Sequence, residues 1–166
     1  MRGALLGMLL LLAGAMHAQR ATVHWAYGPH GREGDAAFIV EDGRIHQACG
    51  GLASRGPCLY VFTDNEVYRS GDAFGSRGSG AYLLEGRELF RCNGTFCSKG
   101  QCLLVTDGRK VFRSEGPFCH KGEAAFLIEG RTVYLAEGAF ANKRDAVISW
   151  TGDLPMVALL TILAGL

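Results

Sequence analysis

Six basic side chains, Arg32, Arg55, Arg77, Lys99, Lys121 and Lys143, follow one another at intervals of 22 or 23 residues, each in a glycine-rich stretch. Cations spaced this regularly can gather on one face and hold an anionic partner through summed weak contacts. An acidic glycan, a lipid headgroup or an acidic protein face would suit them. The plain alternative is that Lys and Arg keep such turns hydrated. The six cysteines offer a second kind of chemistry. An even count behind a secretory leader predicts disulfides. His46-x-x-Cys49, Cys97-x4-Cys102 and Cys119-His120 contain zinc donors, but no C-x-x-C spacing recurs and oxidation competes for the thiols.

Nucleophilic catalysis finds little support. Cys119 and His120 are adjacent, so on a strand they point to opposite faces. His24 and His46 stand where other segments carry Tyr or Phe, which reads as aromatic replacement on a packed face. Ser70 and Ser114 share one recurring position, as turn or strand residues would. The expectation is a protein that is not an enzyme and needs no cofactor and no metal. Asn93-Gly94-Thr95 satisfies the acceptor rule for N-glycosylation in a eukaryotic source.

These residues belong to a chain of 166 residues with 17 Lys+Arg, 16 Asp+Glu and 24 Gly. That is about one domain. A net charge of +1 removes the electrostatic case for nucleic acid, where clustered cation excess is needed. Residues 1–18 combine Arg2, an apolar run from Ala4 to Ala13 and small residues to Ala18, the layout of a cleaved signal peptide. The expected localisation is secreted or extracytoplasmic, periplasmic in a bacterium. Residues 154–166 form an uncharged tail, read as a last buried strand or as the hydrophobic part of a lipid-anchor signal that would hold the protein at the cell surface. Thirteen residues fall short of the roughly 20 that span a bilayer.

Between the two ends, residues 19–153 carry an internal repeat. Cut at residue 37 and every 22 residues thereafter, five units align without a gap, and residues 23–36 and 147–153 supply the two halves of a sixth. Each unit reads as a β-hairpin: an apolar strand, a turn such as Glu129-Gly130-Arg131, and a second strand opening on a pair such as Val133-Tyr134. A glycine-rich return loop leads to the next unit. The first strands are apolar at consecutive positions, which predicts burial of both faces. Glu41, Glu85 and Glu129 alternate with Thr63, Asp107 and Thr151, superposing a 44-residue period. Six tandem hairpins with this pseudo-three-fold predict an all-β, closed, β-trefoil-like arrangement, closed by pairing of the terminal strands. In this register Cys49–Cys58 and Cys92–Cys102 are expected as bridges within units, and Cys97–Cys119 as a bridge between them.

The segments LAEGAFANK, RSEGPFCHKG and RCNGTFCSKG, each preceded by a Gly-Arg turn and an aromatic residue, resemble MORN-type repeats in their bacterial variant. The likeness covers residues 37–146 and rests on Gly130, Gly138 and Phe140 and on Gly108, Gly116 and Phe118. It implies an alternative fold, an open single sheet, and a scaffold that binds proteins or touches membranes. The sequence therefore predicts a secreted, disulfide-stapled binding or structural domain for an anionic ligand. A surface-anchored scaffold is the second reading and a small secreted hydrolase the third.

Overall fold

The computed structural model describes residues 20–50, 52–116, 118–138 and 140–166, and the leader expected over residues 1–18 lies outside them. Among the described residues the fold is all-β apart from one helix. Its strands are β1 (Arg20–Tyr27), β2 (Arg32–Glu41), β3 (Arg44–Cys49), β4 (Ser54–Phe62), β5 (Glu66–Ser70), β6 (Arg77–Glu85), β7 (Glu88–Asn93), β8 (Ser98–Thr106), β9 (Lys110–Glu115), β10 (His120–Glu129), β11 (Thr132–Glu137) and β12 (Asn142–Gly152). The helix α1 (Met156–Ala164) follows. Each strand pairs antiparallel with its neighbour in sequence, and β1 pairs with β12 from Ala21↔Gly152 to Trp25↔Ile148, so the sheet is a closed barrel. All twelve strands share this one up-and-down ring, whereas a trefoil divides its strands between a barrel and a cap. Closure also excludes the open sheet that the repeat resemblance implied.

Turn chemistry explains the hairpins. Asp42 and Gly43 both have positive φ (49° and 70°), as do Gly86, Gly108 and Gly130 in the equivalent turns. Such turns match the right-handed twist of the strands they join. The return loops bend the chain in the same handed way at Gly31, Ala53, Gly75, Cys97, Cys119 and Ala141, all with φ between 50° and 89°. Because odd-numbered strands run into return loops and even-numbered strands leave them, all six return loops lie on one rim. The hairpin turns lie on the other.

The tail expected as a closing strand is helix α1, and it lies inside the barrel. Seven consecutive residues, Val157 to Leu163, are buried, so no side of the helix faces water. Ala158, Leu159, Leu160, Ile162 and Leu163 pack in one core with Val23, Val40, Ile45, Leu89, Val111, Val133 and Ile148 from strands around the ring. Val157 completes the packing against Val67 and Ala81. A ring of twelve strands is too wide for side chains alone to fill, and a helix of ~10 Å diameter occupies the space. The Thr161 hydroxyl donates to the Val157 carbonyl at 2.7 Å, which satisfies the helix's one buried polar side chain. The outer wall has its own apolar layer, so Ile39 and Val40 are buried on opposite faces of β2, as their consecutive apolar character predicts.

Gly152 closes the seam. Its φ is +81°, and a Cβ there would run into the Arg20 carbonyl oxygen of β1, with the Ala21 Cα 3.1 Å away. Backbone on a paired strand cannot move aside cheaply. Gly152→Ala is expected to lower stability by about 1–3 kcal/mol, read as a fall in the urea midpoint. Gly130→Ala, where φ is +60° but nothing lies within 4 Å of the new methyl, should cost only about 1 kcal/mol. Equal midpoints for the two variants would overturn this account of the seam.

Candidate functional site

The return-loop rim presents a ring of solvent-exposed apolar side chains. Leu52, Phe74, Phe96, Phe118 and Phe140 are 93%, 90%, 91%, 79% and 87% exposed. Each immediately precedes a residue of positive φ (Ala53, Gly75, Cys97, Cys119 or Ala141), and His30 holds the same place before Gly31. The left-handed turn aims the preceding side chain away from the barrel. Five of the six loops reach this turn through a glycine of positive φ three residues earlier that continues directly from a strand: Gly28, Gly50, Gly94, Gly116 and Gly138. Asp72 replaces that glycine in the third loop. Its carboxylate accepts the backbone N–H groups of Phe74 (2.9 Å) and Ser76 (3.0 Å), and the bond from Ser76 foremost holds it below the ordinary aspartate value.

Disulfides hold two of these tips. Cys97, next to Phe96, bonds back to Cys92 with Cα atoms 4.4 Å apart. Cys119, next to Phe118, bonds to Cys102 with Cα atoms 5.5 Å apart. The four cysteines pack in one outer-wall cluster with Tyr68, Leu83, Phe90 and Val105. The pairing differs from the Cys92–Cys102 and Cys97–Cys119 bridges expected, because the left-handed turn directs each loop cysteine toward a strand rather than toward its counterpart on the next loop. Cys49 and Cys58, expected as a third bridge, are free thiols, Cys49 exposed and Cys58 buried. Ala53 stands in their loop where Cys97 stands two units later. Closed loops of 17 and 5 residues restrict the unfolded chain by about 3 and 2 kcal/mol respectively. Cys102→Ser is therefore expected to lower the unfolding free energy more than Cys92→Ser. Denaturant midpoints check the order, and non-reducing peptide mapping checks the pairing. Two disulfides fit an oxidising, extracytoplasmic compartment.

The expected cations lie just behind the tips, but they run down the outer wall. The Lys99 ammonium sits 4.0 Å over the Phe90 ring, Lys143 3.7 Å over Tyr134, Lys121 5.1 Å over Phe112, and the Arg77 guanidinium 4.1 Å over Tyr68. Three cations also meet the alternating glutamates: Arg55 to Glu41 at 2.8 Å, Lys99 to Glu85 at 2.5 Å and Lys143 to Glu129 at 2.6 Å. The Glu129 contact is the main reason that the Lys143 ammonium is held above its ordinary value. Arg77 and Lys121, in units that carry Thr63 and Asp107 instead of Glu, have no ion pair among the described residues. In the first loop the register places Glu33 at the cation's position, 3.7 Å from His24, and Arg32 falls one residue earlier. Asn93 is exposed at the end of β7, within the loop closed by Cys92 and Cys97.

Charge is distributed unevenly between the two ends. Residues 27–33 and their counterparts on the other return loops carry six Lys or Arg against four carboxylates. Arg20 and the hairpin-turn segments, residues 41–44, 63–66, 85–88, 107–110, 129–132 and 151–153, carry six cations against nine carboxylates. The apolar ring therefore sits on the more positive end. Sequence reasoning singled out Phe118 and Phe140 only through the repeat resemblance. The signal for the whole ring was the 22-residue spacing of Leu52, Phe74, Phe96, Phe118 and Phe140.

Among the described residues no helix is long and apolar enough to cross a membrane. No protein-family model matches the chain. No curated protein and no solved structure matches it either.

Proposed function

We propose that this chain is a non-enzymatic, extracytoplasmic binding domain that docks its return-loop rim on a lipid surface. The observation that carries this reading is the ring of five apolar side chains held outward on left-handed turns. Folding gains nothing from exposing them. Twelve strands ~4.8 Å apart and tilted by ~40° give a barrel about 24 Å wide, with its six return loops roughly 12 Å apart. Tips so far apart form no continuous patch, and a folded partner would need a separate pocket for each. A fluid interface accepts isolated aromatic side chains at any spacing.

The cations just behind the tips, and the positive bias of this end, support a preference for anionic headgroups. Because three of the cations are already paired with glutamates, that preference is modest and apolar insertion supplies most of the affinity. The recurring left-handed turns support the 22-residue hairpin as the structural unit. Enclosure of α1 in the barrel supports a core role for residues 154–166 over an anchor signal.

Co-sedimentation with vesicles tests the reading. The oxidised protein should pellet with neutral vesicles, and more with anionic ones. A variant with Phe74, Phe96, Phe118 and Phe140 all changed to Ser should stay in solution while keeping its melting temperature. Equal pelleting of the two proteins would overturn the proposal.

A further inference from the structure

Two units depart from the stacking of cation on aromatic that the other four show, and one of them, β3–β4, leaves a cavity. His46 on β3 occupies the place held by Tyr68, Phe90, Phe112 and Tyr134 in other units. It is 3% exposed. Arg44 lies two residues earlier on the same strand, so both side chains share the outer face. Arg55 approaches from β4, with no aromatic ring beneath it, and its guanidinium is tied to Glu41 at 2.8 Å. Between them is a cavity of about 290 Å3 lined by Arg44, His46, Arg55, Gly56, Ala73 and Phe74.

Two buried polar atoms of this cavity's lining residues, Arg44 Nε and His46 Nε2, have no hydrogen-bond partner among the described residues. Burying such groups unpaired costs about 1–3 kcal/mol each, which a fold retains where a ligand uses them. Gly75 helps make the room. A Cβ there would lie 2.6 Å from Arg44 Nε, although Ala or Cys fills the matching position in four of the other loops.

From these contacts we infer that the cavity between β3 and β4 binds a tetrahedral oxyanion, a phosphate or sulfate group, through Arg44, His46 and Arg55. Two guanidinium groups supply fixed donors of the kind that match such oxygens. His46 Nδ1 lies 3.2 Å from the Gly56 carbonyl, which can only accept, so Nδ1 carries the proton. In the neutral ring Nε2 is then a lone pair, and it becomes a third donor when the imidazole takes up a proton from solvent. The charged or titratable groups facing the ring are Arg44, Arg55 with its partner Glu41, and the Cys58 thiol of β4. Anion binding and proton uptake are therefore coupled, and acidification strengthens binding.

Ring-nitrogen NMR of the histidines in the folded, oxidised protein tests this directly. Sodium sulfate is the probe, because it does not titrate near neutrality, and sodium chloride of equal ionic strength is the control. The His46 signals should move saturably with sulfate while those of His24, His30 and His120 follow the chloride control. Affinity should rise as the pH is lowered from 7.5 to 5.5 through the linked proton. Arg44→Gln should weaken binding at least about tenfold, the loss of one charge-assisted contact. Gly75→Ala, which lays a methyl against Arg44, should act in the same direction. His46→Phe restores the ring found in other units, should fold normally and should abolish the effect on thermal stability that sulfate adds beyond chloride.

A rim variant with Phe96, Phe118 and Phe140 changed to Ser, and with Phe74 kept because it lines the cavity, should lose vesicle binding but bind sulfate as the parent does, so this inference and the docking proposal fail separately. With that variant, saturation by inorganic phosphate that phosphatidate vesicles do not improve assigns a free anion. Tighter binding to the vesicles assigns a lipid headgroup. A His46 signal that moves no more than those of the other histidines, or an Arg44→Gln variant with unchanged affinity, would overturn the inference.

Discussion

Removal of residues 155–166 is expected to leave a chain with no cooperative unfolding transition. The helix α1 that begins within this segment is surrounded by the barrel, and Val157, Leu159, Leu160, Ile162 and Leu163 are all buried. Full burial of such side chains is worth roughly 1.5–3 kcal/mol each, so the five together match the whole 5–15 kcal/mol by which a domain of this size is stable. The inward side chains of the ring would lose their packing partners as well. A point substitution grades the same effect. Leu160→Ala should cost about 2–5 kcal/mol, depending on how far the ring can collapse on the missing volume. Leu160→Asp should prevent folding, because the buried residues clustered with Leu160 are all apolar and offer a carboxylate no partner. Thr161→Val keeps the shape and removes a hydroxyl together with its internal bond to Val157, so it should stay within about 1 kcal/mol of the parent. Urea unfolding followed by far-ultraviolet circular dichroism reads all four proteins. A truncated chain that retains the parental midpoint would show that the ring stands without its helix.

The same helix marks the limit of what periodicity reveals. An amphipathic helix announces itself because one side meets water. Here every side meets the barrel, so the run from Val157 to Leu163 is apolar without period and resembles a buried strand. The turns were legible for the opposite reason. Positive φ at Gly43, Gly86 and Gly130 is a local demand that local residues meet. Consecutive apolar residues such as Ile39-Val40 also announced a wall buried on both faces. The regular spacing of Arg55, Arg77, Lys99, Lys121 and Lys143 was visible, but not its use. A cation lying over an aromatic ring and against Glu85 or Glu129 depends on which strands adjoin and on a register shifted by the bulge beside each return loop. The disulfides were hidden similarly, since Cys97 and Cys119 adopt a left-handed conformation that β-branched or bulky residues avoid and that spacing alone does not announce.

Vesicle binding should fall stepwise as the rim is stripped of apolar side chains, and the increments follow from area. A Phe side chain gives up roughly 1.5–3 kcal/mol when fully withdrawn from water. A tip dipping only into the interfacial zone realises about half of that, near 1 kcal/mol. Each Phe→Ser change should therefore reduce the partition coefficient about fivefold, and all four together by about three orders of magnitude. The tips stand apart on separate loops, so their effects should add. Changing His30 to Phe completes the ring and should tighten binding by a similar single step. Salt provides the second axis. Charges near a membrane are screened within roughly 8 Å at physiological ionic strength, so raising the salt should erase the preference for anionic over neutral vesicles while leaving the apolar component intact. Lys121→Gln and Arg77→Gln should diminish that preference more than Lys99→Gln, because Lys99 is already neutralised by Glu85 at 2.5 Å. The disulfides give a third axis, since reduction frees Cys97 and Cys119 beside Phe96 and Phe118 and should weaken binding with the rim's composition unchanged. A flat response to the four phenylalanines, beside a strong response to salt, would reassign the rim from insertion to simple charge attraction.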